Sequence, residues 1–218
     1  MNLTTRKAVN FIVYQVAWFN GVIAAAHDRA ALGSTVVAAA VAFHLWHAPR
    51  RAPELRLVVA ALLAGLAWES LLVSLGLFRY GSGNFVAGLA PYWILALWAQ
   101  FATTLNLSLA WLKGRALLAA TFGAIGGPLA FWAGVRLGAL ESPNLMAALA
   151  AQAFGYAMLV PALCALAQRW NGFAALEAAT ARDASGQQGL YAPAARPIAA
   201  PRNAVGAALS VASESRRA

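Results

Sequence analysis

Residues 56–78 read RLVVAALLAGLAWESLLVSLGLF, an unbroken apolar run with a single acid, Glu69, set well inside it. A helix rising ~1.5 Å per residue needs about 20 residues to cross a hydrocarbon core of ~30 Å, so this run is long enough to span one. Working outward, five further runs of the same kind flank it, at 8–27, 30–48, 92–112, 116–140 and 145–168. The spacing predicts an all-α polytopic membrane protein: a bundle of six transmembrane helices over residues 1–170, followed by a basic tail over 171–218.

Threading the chain through six times sorts its cations. Thirteen of the sixteen Lys and Arg residues, among them Arg6, Lys7, Arg50, Arg51, Arg56, Lys113, Arg115 and Arg169, fall on one side; Arg29, Arg79 and Arg136 fall on the other. Positive charge resists translocation, so the rich side is expected to be cytoplasmic, with both termini on that side. Composition agrees, with 61% hydrophobic and 11% charged residues and a mean hydropathy of +0.64. The net charge of +9 sits in short loops and the tail rather than on one folded face. It is read as topology and attraction to anionic headgroups, with membrane lipids and no nucleic acid as partners. One cysteine, Cys164, excludes an internal disulfide and a cysteine-rich metal site, and is expected as a small packing residue. Arg6-Lys7, the apolar run and Ala24-Ala25-Ala26 have the outline of a cleavable leader. The run is long and holds Asn10, Gln15 and Asn20, so it is expected to remain as helix one.

The connections carry their own signals. His47-Ala-Pro-Arg-Arg-Ala-Pro53 reads as a tight turn, because each proline disfavours helix at the residue before it. Lys113-Gly-Arg115 is shorter still and predicts helices four and five as antiparallel neighbours. Between Phe78 and Pro91 a polar piece, Arg79–Asn84, precedes an apolar one, Phe85–Ala90, that is too short to span. It is expected at the interface, with Tyr80, Tyr92 and Trp93 at headgroup depth. Beyond Asn171 large apolar groups are few; a short helix over Phe173–Arg182 is allowed, and the remainder is expected to be disordered.

Glu69 is the acid that needs explaining, since an ionised carboxylate inside a span costs several kcal/mol unless it faces partners or water. It is either a proton- or ligand-binding group or a structural hydrogen-bonding acid. Arg136 is the obvious cation to pair with it. However, Gly123, Gly127, Ala130, Gly134 and Gly138 form a small-residue stripe on helix five, and Arg136 projects about 160° away from it, which favours snorkelling to headgroups. Gly123, Gly127, Gly134 and Gly138 are accordingly expected to pack that helix on a neighbour.

Helix four is expected to present Gln100, Thr103, Thr104 and Ser108 within about 140° of arc, with Asn106 some 60° beyond, and such an arc should not face lipid. Helix one adds Asn10, Tyr14, Gln15 and Trp18; helix six adds Gln152 and Tyr156. The candidate polar cavity is therefore Glu69, Gln15, Gln100, Thr104, Asn106, Ser108, Gln152 and Tyr156, or else the same groups simply bond helix to helix. His44 and His47 share a helical face but lack a third ligand at their depth, so no metal and no cofactor is assigned. His27-Asp28 reads as a turn. Pro128 and Pro161 interrupt helices five and six, and Gly126-Gly127-Pro128 is either a bend opening space near Glu69 or tight packing. Zinc-protease, nucleophile-elbow, phosphate-loop and histidine-box signatures do not occur, and no catalytic residue is assigned.

Several stretches together resemble one family. They are Gln15-x-x-Trp18-Phe19, Trp68-Glu69-Ser70, Trp98-Ala-x-Phe101, Asn106-x-Ser108-Leu109-Ala110-Trp111-Leu112, and Gly126-Gly127-Pro128 with Trp132-Ala133-Gly134. The series is similar to bacterial inner-membrane proteins known as domain of unknown function family 2878, over about residues 9–170. The resemblance implies a compact multi-helix membrane domain and no settled activity. Its members place an acid before Ser in helix three, where Asp is usual and this chain has Glu69, and often His where this chain has Leu107. Genes of such proteins often sit near fatty-acyl-modifying enzymes, which implies a lipid context. Three functions follow as expectations. The lead is a non-catalytic, lipid-associated membrane component whose polar interior binds a small group or a partner, such as another membrane protein or a lipid-modifying enzyme. The second is a small-solute or proton-coupled transporter with Glu69 titrating and Gln100, Thr104 and Gln15 lining the path. The third is an intramembrane lipid-modifying enzyme with Glu69 as acid or base.

Overall fold

The computed structural model describes residues 2–190. Among them are seven α-helices: α1 (Leu3–Ala26), α2 (Ala30–His47), α3 (Arg51–Ser74), α4 (Tyr92–Ala102), α5 (Ala116–Arg136), α6 (Leu145–Arg169) and α7 (Ala174–Leu190). Two short strands, β1 (Arg79–Tyr80) and β2 (Leu140–Glu141), pair antiparallel and tie the α3–α4 loop to the α5–α6 loop. Residues up to Thr180 form one compact unit, which takes in the first turns of α7 beyond the expected limit at residue 170. A second unit starts at Ala181; only the end of α7 is described in it, and the expected disordered tail from 191 onward lies outside the described residues.

Five helices, α1, α2, α3, α5 and α6, are long and apolar enough to cross a membrane. The expected fourth span is not one such helix. α4 ends at Ala102, turns follow, and a 3-10 turn at Ala110–Leu112 closes the segment. The cause is local. The Thr103 and Thr104 hydroxyls donate to the Gln100 and Phe101 carbonyls at 2.7 and 2.6 Å, and the backbone N–H groups of Thr103, Thr104 and Leu105 also step back three residues instead of four. Short polar side chains compete in this way with the α-helical ladder. Asn10 of α1 then holds the opened backbone: its amide donates to the Thr103 carbonyl at 3.1 Å, and its carbonyl oxygen accepts from the Ser108 hydroxyl at 2.7 Å. The regular helical arc expected for Gln100, Thr103, Thr104 and Ser108 is thus replaced by a pinned irregular segment.

α3 starts at Arg51, before the expected residue 56. Pro53 falls in its first turn, where an N–H has no intrahelical partner to lose. Glu54, outside both the expected turn at His47–Pro53 and the expected span, is helical and buried. The inward face of α3 is Glu54, Leu57, Val58, Ala61, Gly65, Glu69 and Leu72, a helical repeat that carries both acids. They lie fifteen residues apart, ~22 Å along the axis.

α4 is central and packs on α3, α2 and α1; α3 also meets α6. The most extensive pairings are α5 with α6 and α1 with α2. α5 docks chiefly on α6, and it meets the expected fourth span at the 3-10 turn, where Trp111 lies edge-on to Phe122. Pro128 and Pro161 lie inside helices that run on without interruption. The loop from Phe78 to Pro91 closes the end opposite the basic turns. Ser82 donates to the Ala25 carbonyl at 2.9 Å, Ser70 accepts from the Ala90 N–H at 3.0 Å, and the Trp93 indole donates to the Ser82 carbonyl at 3.2 Å. Trp93 is only 1% exposed and belongs to the core, whereas Phe85, Val86 and Leu89 are the exposed large apolar side chains of this loop.

Candidate functional site

Glu69 is completely buried and saturated by donors. Its Oε1 accepts from the Trp98 indole at 3.1 Å and the Tyr156 hydroxyl at 3.3 Å, and its Oε2 accepts from the Gln152 amide at 2.9 Å. Gln152 in turn accepts from the Trp68 indole at 2.9 Å. Glycines make room for each ring. A Cβ at Gly65 would run into Trp98, one at Gly155 into Trp68, and one at Gly127 into the Tyr156 ring. α3, α4, α5 and α6 are therefore drawn together around one carboxyl group. Arg136 is exposed, and the bonds to Glu69 come from neutral groups, so Arg136 does not pair with it.

A second buried carboxylate went unrecognised in the sequence. Glu54 lies 2.9 Å from His44 Nε2, and its other oxygen accepts from the Asn106 amide at 2.8 Å and the Gly172 N–H at 2.7 Å. Asn106 also donates to the Trp170 carbonyl at 2.9 Å and accepts from Lys113 at 3.1 Å, and Lys113 reaches Glu177 at 3.3 Å. This chain of bonds joins α2, α3, the irregular segment after α4, the end of α6 and the start of α7. Asn106 thus belongs to the basic end and not to Glu69. His47 turns back to the Phe43 carbonyl at 2.9 Å, apart from His44. No group of three His, Cys, Asp or Glu suited to a metal occurs among the described residues.

A cavity of about 210 Å³ lies between α1, α4 and α5, with Tyr156 and Val160 of α6 at its back. Phe11, Trp18, Leu97, Phe101, Phe122 and Phe131 are among its walls, and among the described residues no charged side chain lines it. Gln15, Thr104, Ser108 and Tyr156 line this groove; Glu69, Gln100, Asn106 and Gln152 do not. Gln100 is buried and donates to the Tyr14 carbonyl at 3.0 Å. Trp98 and Tyr156 belong to both sites: they face the groove and hold Glu69 behind them. The eight expected cavity residues thus divide among Glu69's bonds, the basic-end network, a backbone clamp and the groove wall.

The small-residue stripe divides as well. Gly123 meets the Tyr156 carbonyl and Gly127 the Tyr156 ring, so both let α6 approach α5 closely; Gly134 meets Leu140 of β2. Gly138 packs on nothing. It lies past the end of α5 at φ +81°, and the following Ala139 N–H bonds back to the Gly134 carbonyl at 3.0 Å, a helix stop that glycine makes without strain. Gly126 lines the groove, and a Cβ there would meet the Phe122 ring at an ordinary 3.9 Å.

Comparison with known proteins adds one assignment. No curated protein and no solved structure matches the chain. A family model described as protein of unknown function (DUF2878) matches residues 7–162, a stretch containing both buried carboxylates and every residue that lines the groove. The chain belongs to the DUF2878 family.

Proposed function

We propose that this protein is a non-catalytic component of the bacterial inner membrane that holds a lipid chain in the groove between α1, α4 and α5. One observation carries the reading: the groove is apolar, aromatic and uncharged, while Glu69 sits behind its wall with both oxygens occupied. A carboxyl group that neither faces the groove nor has a free oxygen is a poor acid, base or ion ligand for an occupant. It is well suited to fixing the wall.

The membrane placement proposed here keeps six crossings. α4 contributes ~16 Å, and the turns from 103 to 112, rising up to ~2 Å per residue, add up to ~20 Å, enough together for the ~30 Å core. The basic turns then lie on the cytoplasmic side with both termini. A second reading, transport, is favoured by the break in α4, since irregular backbone at membrane depth lines many carrier pathways.

The test is labelling of the purified protein in vesicles with a phospholipid bearing a diazirine in its acyl chain. Adducts are expected on groove residues such as Trp18, Leu97 and Phe122. Adducts confined to outward-facing residues such as Leu117 and Met146 would overturn the proposal.

A further inference from the structure

The groove's dimensions and its few polar groups restrict what it takes, granting the reading above that it holds a lipid. Along α1 it runs from Phe11 to Val22, ~16 Å of helix, about half the thickness of the hydrocarbon core. Its outer limit lies under the paired loops, where Trp93, Ile94 and Leu140 are apolar or aromatic. Its polar groups gather at the other limit. Tyr14 and Gln15 stand at the midpoint of α1, and Thr104 and Ser108 come from the irregular segment after α4. The polar end of the groove therefore lies inside the hydrocarbon region, about one to two helical turns in from Arg6 and Lys7.

The hydrogen-bond inventory there is uneven. The Thr104 hydroxyl donates to the Phe101 carbonyl and the Ser108 hydroxyl to Asn10, so both face the groove with oxygen lone pairs only. The Tyr14 hydroxyl and the Gln15 amide make no hydrogen bond to any described residue, so each brings a free donor. Polar groups in hydrocarbon need partners, and a charged head brought to this depth without a counter-charge is costly. From these facts we infer that the occupant is a lipid alcohol: a long apolar chain whose uncharged hydroxyl lies between Tyr14, Gln15, Thr104 and Ser108, with its tail running outward past Trp18 and Trp93. A hydroxyl accepts from Tyr14 or Gln15 and donates to Ser108 or Thr104, so it satisfies both sets at once. A carboxylate or phosphate head meets no cation there.

The test uses the full chain in vesicles and a diazirine-bearing hexadecanol, with hexadecanol, hexadecanoic acid and hexadecyl methyl ether as competitors. Hexadecanol is expected to displace the probe best, the ether next and the acid least. The double variant Tyr14→Phe, Gln15→Leu removes side-chain polar groups that bond to no described residue. It is expected to lower alcohol labelling about tenfold, the effect of one or two lost hydrogen bonds, while labelling by the acyl-chain phospholipid probe persists and reports an intact groove. Equal displacement by acid and alcohol, or unchanged alcohol labelling of the double variant, would overturn the assignment of the head while leaving the lipid groove standing. Failure of every probe to label the groove would overturn both.

Discussion

Exchanging Glu69 and Gln152 tests the logic of the buried cluster with each partner's needs in view. In the wild type Gln152 is held in one orientation, because its carbonyl accepts from Trp68 while its amide donates to Glu69. Glu69→Gln keeps an acceptor for Trp98 and Tyr156 but turns an NH2 group toward the NH2 group of Gln152. Flipping Gln152 only moves the conflict to Trp68. One buried donor is left unpaired in either arrangement, at a cost of about 1–3 kcal/mol. Gln152→Glu places a second carboxyl group against the first and is expected to cost at least as much. The double exchange restores every bond: Gln at 69 accepts from Trp98 and Tyr156 and donates to Glu at 152, whose other oxygen accepts from Trp68. It is therefore expected to recover most of what either single variant loses, a coupling on the order of 2 kcal/mol. Reversible unfolding in mixed micelles, followed by tryptophan fluorescence, measures all four proteins. A double variant whose loss is the sum of the singles would refute the bonding scheme.

Other outcomes follow from single contacts. Glu54→Leu strands His44, Asn106 and the Gly172 N–H together and is expected to destabilise by about 3–5 kcal/mol, read in the same unfolding assay; Glu54→Gln keeps an acceptor and should cost clearly less. Gly65→Ala and Gly155→Ala each drive a methyl group into an indole and should cost about 1–3 kcal/mol, whereas Gly126→Ala, facing open groove, should be near neutral. Asn10→Ala releases the Thr103 carbonyl and Ser108 and is expected to cost about 2 kcal/mol. Faster amide exchange in the segment after α4 is the accompanying sign.

The long helices were legible because apolar length is a strong signal and their ends moved by only a few residues. α3 is the instructive exception. Pro53 reads as a helix breaker, yet in a first turn it breaks nothing, and that misreading hid Glu54 and with it the basic-end network. The break in α4 is signalled by Thr103 and Thr104, whose hydroxyls bond their own backbone, a capacity that polarity alone does not reveal. Glu69 of helix three is grouped from the sequence with Gln152 and Tyr156 of helix six, and the structure joins the first to the other two by direct bonds. Trp68 and Trp98, the other donors, entered only as parts of a motif, because an indole inside an apolar run looks like packing. The groove itself was not legible. It lies where α5, docked chiefly on α6, faces α4, and turn length says nothing about which of two neighbours offers the better glycine face.

Gly126→Leu is the most direct probe of the groove as a lipid site, since its side chain starts in the groove beside Phe122 rather than against Trp98 or Tyr156. Photolabelling by the acyl-chain probe is predicted to fall at Trp18, Leu97 and Phe122 while the unfolding midpoint stays near wild type. Undiminished labelling of those residues in a stably folded variant would contradict the account.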